Sequence, residues 1–222
     1  LFIEKVSVVN IANKFLTPAY CYSYSKLKEN INYFKKNFKS FSTLICFSVK
    51  SNTNLNIIKE IKKFGLGADV VSKGELMLAL KAGVDPNKIV FSGVGKTKKQ
   101  IKFTIEKKIL LINAESKSEI QEINKIAKQK RKIVQVGIRL NPNTDAKTLK
   151  QISTGKSENK FGVNSKTFLE LVNYCKNSKN ISLQWLSVHI GSQNLDNKPY
   201  ERMLKAVSNI IIKTKHKFKF VD

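Results

Sequence analysis

The sequence predicts a parallel α/β fold. Strand-like and helix-like segments alternate from residue 43 onward, and several of the strand-like segments are almost continuously apolar, as in strands covered on both faces. The βα repeat is roughly 20–25 residues, which suits either a (β/α)8 barrel or a doubly wound sheet.

The elements follow in order. After Thr17-Pro18 a short alternating run over 19–24 reads as a strand. A helical stretch over 25–38 places Leu27, Ile31 and Phe34 on one face at three- and four-residue spacing. Strands are expected at 43–49, 68–71, 88–92, 109–113, 133–140, 183–189 and 218–221. Helices fall between them at 54–64, 73–82, 97–107, 116–130, 165–177 and 197–215. One long gap, 141–164, is polar and rich in Thr, Lys, Asn and Gly; following a strand, it has the character of a functional lid.

With 222 residues and 41% hydrophobic content, the chain can build a sizeable core and is too apolar to be disordered. No apolar run approaches the roughly 20 residues of a membrane span, so no membrane partner is expected. The N-terminus has neither a secretory apolar stretch nor a methionine, and residues are expected upstream. The formal charge of +25 suggests a polyanion partner at first sight. Yet 38 of the 41 cations are lysines scattered through every segment, and only Arg131, Arg139 and Arg202 supply the planar fork that reads phosphates and bases. The excess reads as codon bias, with no nucleic acid expected. Cys21, Cys46 and Cys175 are odd in number and widely spaced, which fits reduced thiols in a cytoplasmic protein.

Chemistry is sought at the ends of the strands, the active face of either architecture. Lys50, Asp69, Ser72, Arg139, His189 and Ser192 would converge on one rim. Lys50 ends an apolar strand, where partial desolvation would lower its pKa and free the amine for Schiff-base formation; a solvated strand-end lysine is the plain alternative. His189 ends another strand and is followed by Gly191, which permits close backbone approach, and by the Ser192 hydroxyl; the turn could hold a phosphate. His216 lies in a basic stretch and reads as solvated.

The run SGVGKT (92–97) ends like a phosphate loop, but Val90 stands where the first glycine is required, leaving a tight turn with Thr97 near a helix start. No metal-ligand spacing and no GxSxG elbow occur, so no metal is expected.

Four ordered blocks carry a family resemblance: FSVKSN (47–52), GLGADVVSKGEL (65–76), the segment 137–163 with its RLNP, ISTG and KFG pieces, and HIGSQ (189–193). Together they resemble the diaminopimelate decarboxylases, within the group that also holds ornithine and arginine decarboxylases. The resemblance runs from about Val6 to the end of the chain. It implies a (β/α)8 TIM-type barrel plus a β domain, a homodimer, and pyridoxal 5'-phosphate as cofactor. Lys50 matches the lysine that holds the cofactor, His189 the histidine stacked on its ring, and Ser192, with Gly191, the phosphate-binding turn. Asp69, Ser72, Glu75 and Arg139 match or adjoin polar residues lining the same pocket.

The implied reaction is decarboxylation of meso-2,6-diaminopimelate to L-lysine and CO2, with the cofactor ring delocalising the carbanion left at Cα. A barrel needs eight strands over roughly 250 residues. Six and the opening of a seventh are countable here, so the chain is expected to be an N-terminal part, inactive alone. Its segment 1–24 would give a strand to the missing β domain, and 25–222 would form a partial barrel. A related decarboxylase acting on ornithine, arginine or a carboxylated polyamine is the alternative within the group. A barrel-only, non-enzymatic cofactor carrier is the alternative outside it.

Overall fold

The structure, a computed structural model, describes residues 1–144 and 161–222. Most of the polar gap expected to be a lid, with the ISTG part of the third block, lies outside the described residues. The chain divides into two compact units, Leu1–Ile45 and Cys46–Asp222.

In the first unit, β1 (Phe2–Ile3) and β2 (Val6–Ser7) pair antiparallel, with Phe2 opposite Ser7 and Ile3 opposite Val6. Helix α1 (Val8–Phe15) follows, capped by the Ser7 hydroxyl, which accepts the Val9 N–H. Its Val8, Ile11, Ala12 and Phe15 have helical spacing, a signal present in the sequence but not among the elements expected there. Helix α2 (Tyr24–Asn37) is the helix expected over 25–38. Ser23 caps it, and the Glu4 carboxylate accepts the Ser23 hydroxyl and the Ser25 N–H, each at 2.7 Å. The strand expected over 19–24 is absent. Residues 19–23 carry no regular structure, and no described strand pairs with them to satisfy their backbone groups.

The second unit is one parallel sheet with helices following its strands. Its strands are β3 (Cys46–Ser48), β4 (Gly67–Val70), β5 (Ile89–Phe91), β6 (Leu111–Ala114), β7 (Val134–Leu140), β8 (Ile181–Val188) and β9 (Phe220–Val221). The helices are α3 (Leu55–Lys63), α4 (Lys73–Lys81), α5 (Lys98–Glu106), α6 (Lys117–Gln129), α7 (Ser165–Lys176) and α8 (Lys198–Thr214). All seven expected strands and six expected helices are present, with ends shifted by up to three residues. Neighbouring strands in space are neighbours in sequence throughout. A doubly wound sheet would reverse that order at a switch point, so the sheet is the curled half-barrel of a TIM-like fold.

Strand alternation sorts the side chains. Ala68, Val70, Ile89, Phe91, Ile112, Ala114, Val136, Ile138 and Leu140 belong to two buried apolar clusters that also contain helix residues such as Leu76, Ala79, Ile120, Ile123, Phe168 and Leu171. The other face carries smaller and polar groups. Gly67 lies against the Cys46 thiol, and the Ser48 hydroxyl donates to Asp69 at 3.5 Å. A Cβ on Gly137 would meet Asn113 Oδ1 and Trp185 Cβ, each at 2.9 Å. Trp185 stacks on Phe220 at 4.1 Å, and Ser187 donates to Asp222 at 2.9 Å. This concave face is therefore a band of polar groups over an aromatic floor.

His216, expected to be solvated, is half-buried. Its Nε2 lies 3.0 Å from the Leu183 carbonyl and its ring stands edge-on to Phe218, so it ties the α8–β9 connection to β8.

Gly137→Ala should destabilise the protein by about 1–3 kcal/mol, because neither Asn113 nor the Trp185 backbone-proximal carbon can yield cheaply. Urea denaturation reads this directly; an unchanged midpoint would mean that the concave face has room to spare.

Candidate active site at the strand ends

Three of the βα junctions, those before α4, α5 and α6, are built by the same local chemistry, a hydroxyl that ends extended backbone and caps the next helix. Ser72 accepts the Glu75 N–H at 3.2 Å, and Glu75 accepts the Val71 N–H at 3.0 Å. Ser116 and Glu119 repeat this at α6, where Glu119 accepts the Glu115 N–H. Thr97 and Gln100 form a full capping box at α5. Ser72 and Glu75 thus hold the start of α4, and the rim is rigid where these turns form it.

The turn over 92–97 is settled by its lysine. Lys96 Nζ donates to the carbonyls of Gly93 and Asn113 at 2.6 and 2.7 Å and to Glu119 at 2.8 Å, with its side chain only 2% exposed. Gly93 and Gly95 take φ of 86° and 74°, which folds the loop inward. The amine is committed to the fold, and Thr97 is the helix start expected from the sequence.

Lys50 contrasts with it. It sits in a short 3-10 turn, Val49–Ser51, in which Val49 is fully buried and Lys50 is exposed. The partial desolvation expected for this lysine is not found. Among the described residues, no hydrogen bond or ion pair engages its amine. Its charge nevertheless acts on Asp69 and His189, which places it with them at the rim.

Asp69, on β4, is half-buried, and its Oδ1 has no partner among the described residues. Burial pushes its carboxyl above the ordinary aspartate range. The Ser92 hydroxyl opposes that rise, Asp222 adds to it, Lys50 opposes it and Glu75 adds to it. His189 follows β8 with its residue surface open to solvent, but enough protein surrounds the ring to reduce its hydration. That burial, then the Arg139 and Lys50 cations, holds the imidazole below the ordinary histidine range against the pull of Asp222 and Glu115, so it is neutral at pH 7.

Arg139, at the end of β7, pairs with Glu115 at 3.1 Å, and Phe161 lies 4.9 Å from its guanidinium carbon. Its Nη2 is buried without a partner among the described residues. Gly191 is buried with φ of 140°, a conformation that favours glycine, whereas Ser192 is exposed and makes no hydrogen bond to the other candidates. The structure therefore brings Lys50, Asp69, Arg139 and His189 together, and places Gly191 and Ser192 beside them only through the chain.

Three rim residues escape the sequence reading: Ser92, Glu115 and Asp222. Each follows its strand directly, as His189 does, whereas Lys50 is the second residue after β3. Cys46 is also on the concave face, but burial and the Asp69 and Asp222 charges push its thiol up to about 12, so it is inert near neutral pH.

This in-order half-barrel with a polar strand-end rim is the architecture of an α/β cofactor-binding domain. The chain belongs to the family described as pyridoxal-dependent decarboxylase, pyridoxal binding domain, whose model matches residues 24–220. Among curated relatives, the diaminopimelate decarboxylase of Aquifex aeolicus is 40% identical over 210 residues, covering 95% of this chain and 50% of that protein. That of Helicobacter pylori is 43% identical over 194 residues, covering 87% and 48%. The chain spans about half the length of these relatives. Among solved structures, diaminopimelate decarboxylase from Helicobacter pylori complexed with L-lysine aligns with a TM-score of 0.90 at 39% identity, over 96% of this chain and 56% of that one. The M. jannaschii enzyme in co-complex with L-lysine aligns at 0.92 and 34% identity, over 99% and 53%. Membership of the family implies pyridoxal phosphate as cofactor. Among the described residues no helix is long and apolar enough to cross a membrane.

The raised Asp69 carboxyl gives a signed pH effect. Between the ordinary aspartate pKa and the raised folded value the native state holds the extra proton, so stability falls as pH rises through that window. Asp69→Asn should therefore raise the melting temperature of the ligand-free protein at pH 7, with the gain vanishing below about pH 4. A variant less stable than wild type at pH 7 would mean that the ionised carboxylate is instead welcomed by its site.

Proposed function

We propose that this chain is the cofactor-binding part of a decarboxylase that converts meso-2,6-diaminopimelate to L-lysine and CO2. The observation that carries this reading is the set of charges at one rim: an unengaged lysine amine beside a half-buried carboxylate, a guanidinium and a neutral imidazole. Two of those groups, Asp69 Oδ1 and Arg139 Nη2, are buried polar atoms that lack partners among the described residues, as a site meant for a polar cofactor would leave them.

Lys50 Nζ would hold pyridoxal phosphate covalently. When bound, that group supplies a conjugated ring that accepts the electron pair left at Cα as carbon dioxide departs. With substrate in the site, Lys50 would be free to carry a proton on Nζ. His189, kept neutral by burial and by the Arg139 and Lys50 cations, would lie against the ring without adding charge to it. Ser192, with the backbone turned by Gly191, would take the phosphate. Asp69 and Arg139 would orient the polar edge, while Ser72 and Glu75 fix the turn next to it.

A homodimer and a cytoplasmic location accompany this proposal, on the strength of the family resemblance. The choice of diaminopimelate over ornithine or arginine rests on the curated relatives, which are diaminopimelate decarboxylases at about 40% identity over nearly the whole chain.

The test uses the full-length protein that carries this chain. Carbon dioxide release should be greatest with meso-diaminopimelate, and Lys50→Ala should lower turnover by about a hundredfold or more. Borohydride reduction after addition of pyridoxal phosphate, followed by peptide mapping, should place the label on Lys50. Label on another lysine with none on Lys50 would contradict the assignment, and turnover confined to ornithine or arginine would move the substrate.

A further inference from the structure

Glu115, at the end of β6, has no role in the reaction proposed above, yet it is 5% exposed and fully engaged. Its Oε1 accepts from Arg139 Nη1 at 3.1 Å, and its Oε2 accepts the Gly162 N–H at 3.3 Å. Its own backbone N–H donates to Glu119 Oε2 at 3.0 Å, and Glu119 Oε1 receives Lys96 Nζ at 2.8 Å. Two cations thus flank two acids along a belt from the β5 turn across β6 to β7, the acids joined through the Glu115 N–H. The side chains of Lys96, Glu119 and Glu115 are between 2% and 8% exposed, and that of Arg139 is 11% exposed.

The belt constrains one guanidinium from several directions. Glu115 holds the Nη1 edge, and the Phe161 ring covers a face. Phe161 is itself pinned, because the Gly162 N–H is held by Glu115 and the Val163 N–H donates to the Arg139 carbonyl at 2.9 Å. Gly162 takes φ of 71°, and a Cβ there would meet that same carbonyl at 2.8 Å. Nη2 is left buried and without a partner among the described residues. An arginine left to itself samples many rotamers, and fixing it in advance removes that ordering cost from ligand binding.

We infer that Glu115 is a positioning residue: it fixes the Arg139 guanidinium so that Nη2 remains available to an acceptor group of the ligand at the rim, and the Lys96–Glu119 pair fixes Glu115. The ligand side of this inference rests on the cofactor reading above. The positional side does not, and it can be measured on its own. Glu115→Gln keeps the shape and one carbonyl oxygen but removes the charge that grips the guanidinium.

The experiment is nitrogen-15 NMR of the ligand-free full-length protein, following the Arg139 Nε–H signal, assigned by its loss in Arg139→Lys. In Glu115→Gln that proton should exchange with solvent at least tenfold faster. The backbone amide of Ile138, on the same strand, should keep its protection; a merely structural role would loosen both. If Glu115→Gln does not fold, Glu119→Gln is read in the same way, with an expected acceleration of at least threefold. Arg139 exchange within twofold of wild type in a folded variant would overturn the inference, as would equal loss of protection at Ile138. Pyridoxal phosphate titration of the same proteins is the second arm, with binding expected to weaken at least fivefold in Glu115→Gln. Wild-type protein that binds no pyridoxal phosphate, with Arg139 exchange still governed by Glu115, would defeat the cofactor reading and leave the positional assignment standing.

Discussion

A parallel sheet whose strands run in sequence order places every strand's C-terminal end on the same rim, and this constraint organises the rest of the molecule. Short strands can then serve two solvents at once. Their outward residues (Val70, Phe91, Ile138 and Leu140 among them) bury against helices, while the inward ones remain small or polar. Residues from β3 to β9 meet at the rim without any long excursion of the chain. Hydroxyl caps at Ser72, Thr97 and Ser116 stop three of these turns at a fixed residue, so the groups that follow β4, β5 and β6 do not drift.

Charge within this frame is divided between groups committed to the fold and groups left open. Lys96 is buried among two carbonyls and a carboxylate, an arrangement in which the desolvation of the ammonium is offset by close partners. Lys50, exposed and unengaged among the described residues, keeps its amine for other chemistry. The same division separates the two edges of Arg139: Nη1 belongs to Glu115, and Nη2 has no partner among the described residues. Asp69 carries part of the cost of such a site, with a buried oxygen that no described residue satisfies.

The sheet and its order were legible because apolar runs, helix periodicity and hydroxyl caps are local signals that tertiary packing then reinforces. The candidate site was legible as far as strand ends could be counted, which located Lys50, Asp69, Arg139 and His189. What a strand end experiences was less accessible. Of two neighbours in one short turn, Val49 is buried and Lys50 is exposed, a difference that depends on tertiary packing. Glu115 reads in the sequence as one more acid at a lysine-rich helix start, NAESKSE, and only the register of β6 puts it beside Arg139. The run over 19–24 alternates as a strand does, but alternation describes a strand only where a neighbour exists to pair with it.

The strand-end rim as the cofactor site is tested most directly by a crystal structure of the full-length protein grown with pyridoxal phosphate. Electron density for the cofactor should join Lys50 Nζ, with its polar atoms in hydrogen-bond reach of Asp69 Oδ1 or Arg139 Nη2. Cofactor bound elsewhere, or joined to a different lysine while the rim holds only water, would contradict it.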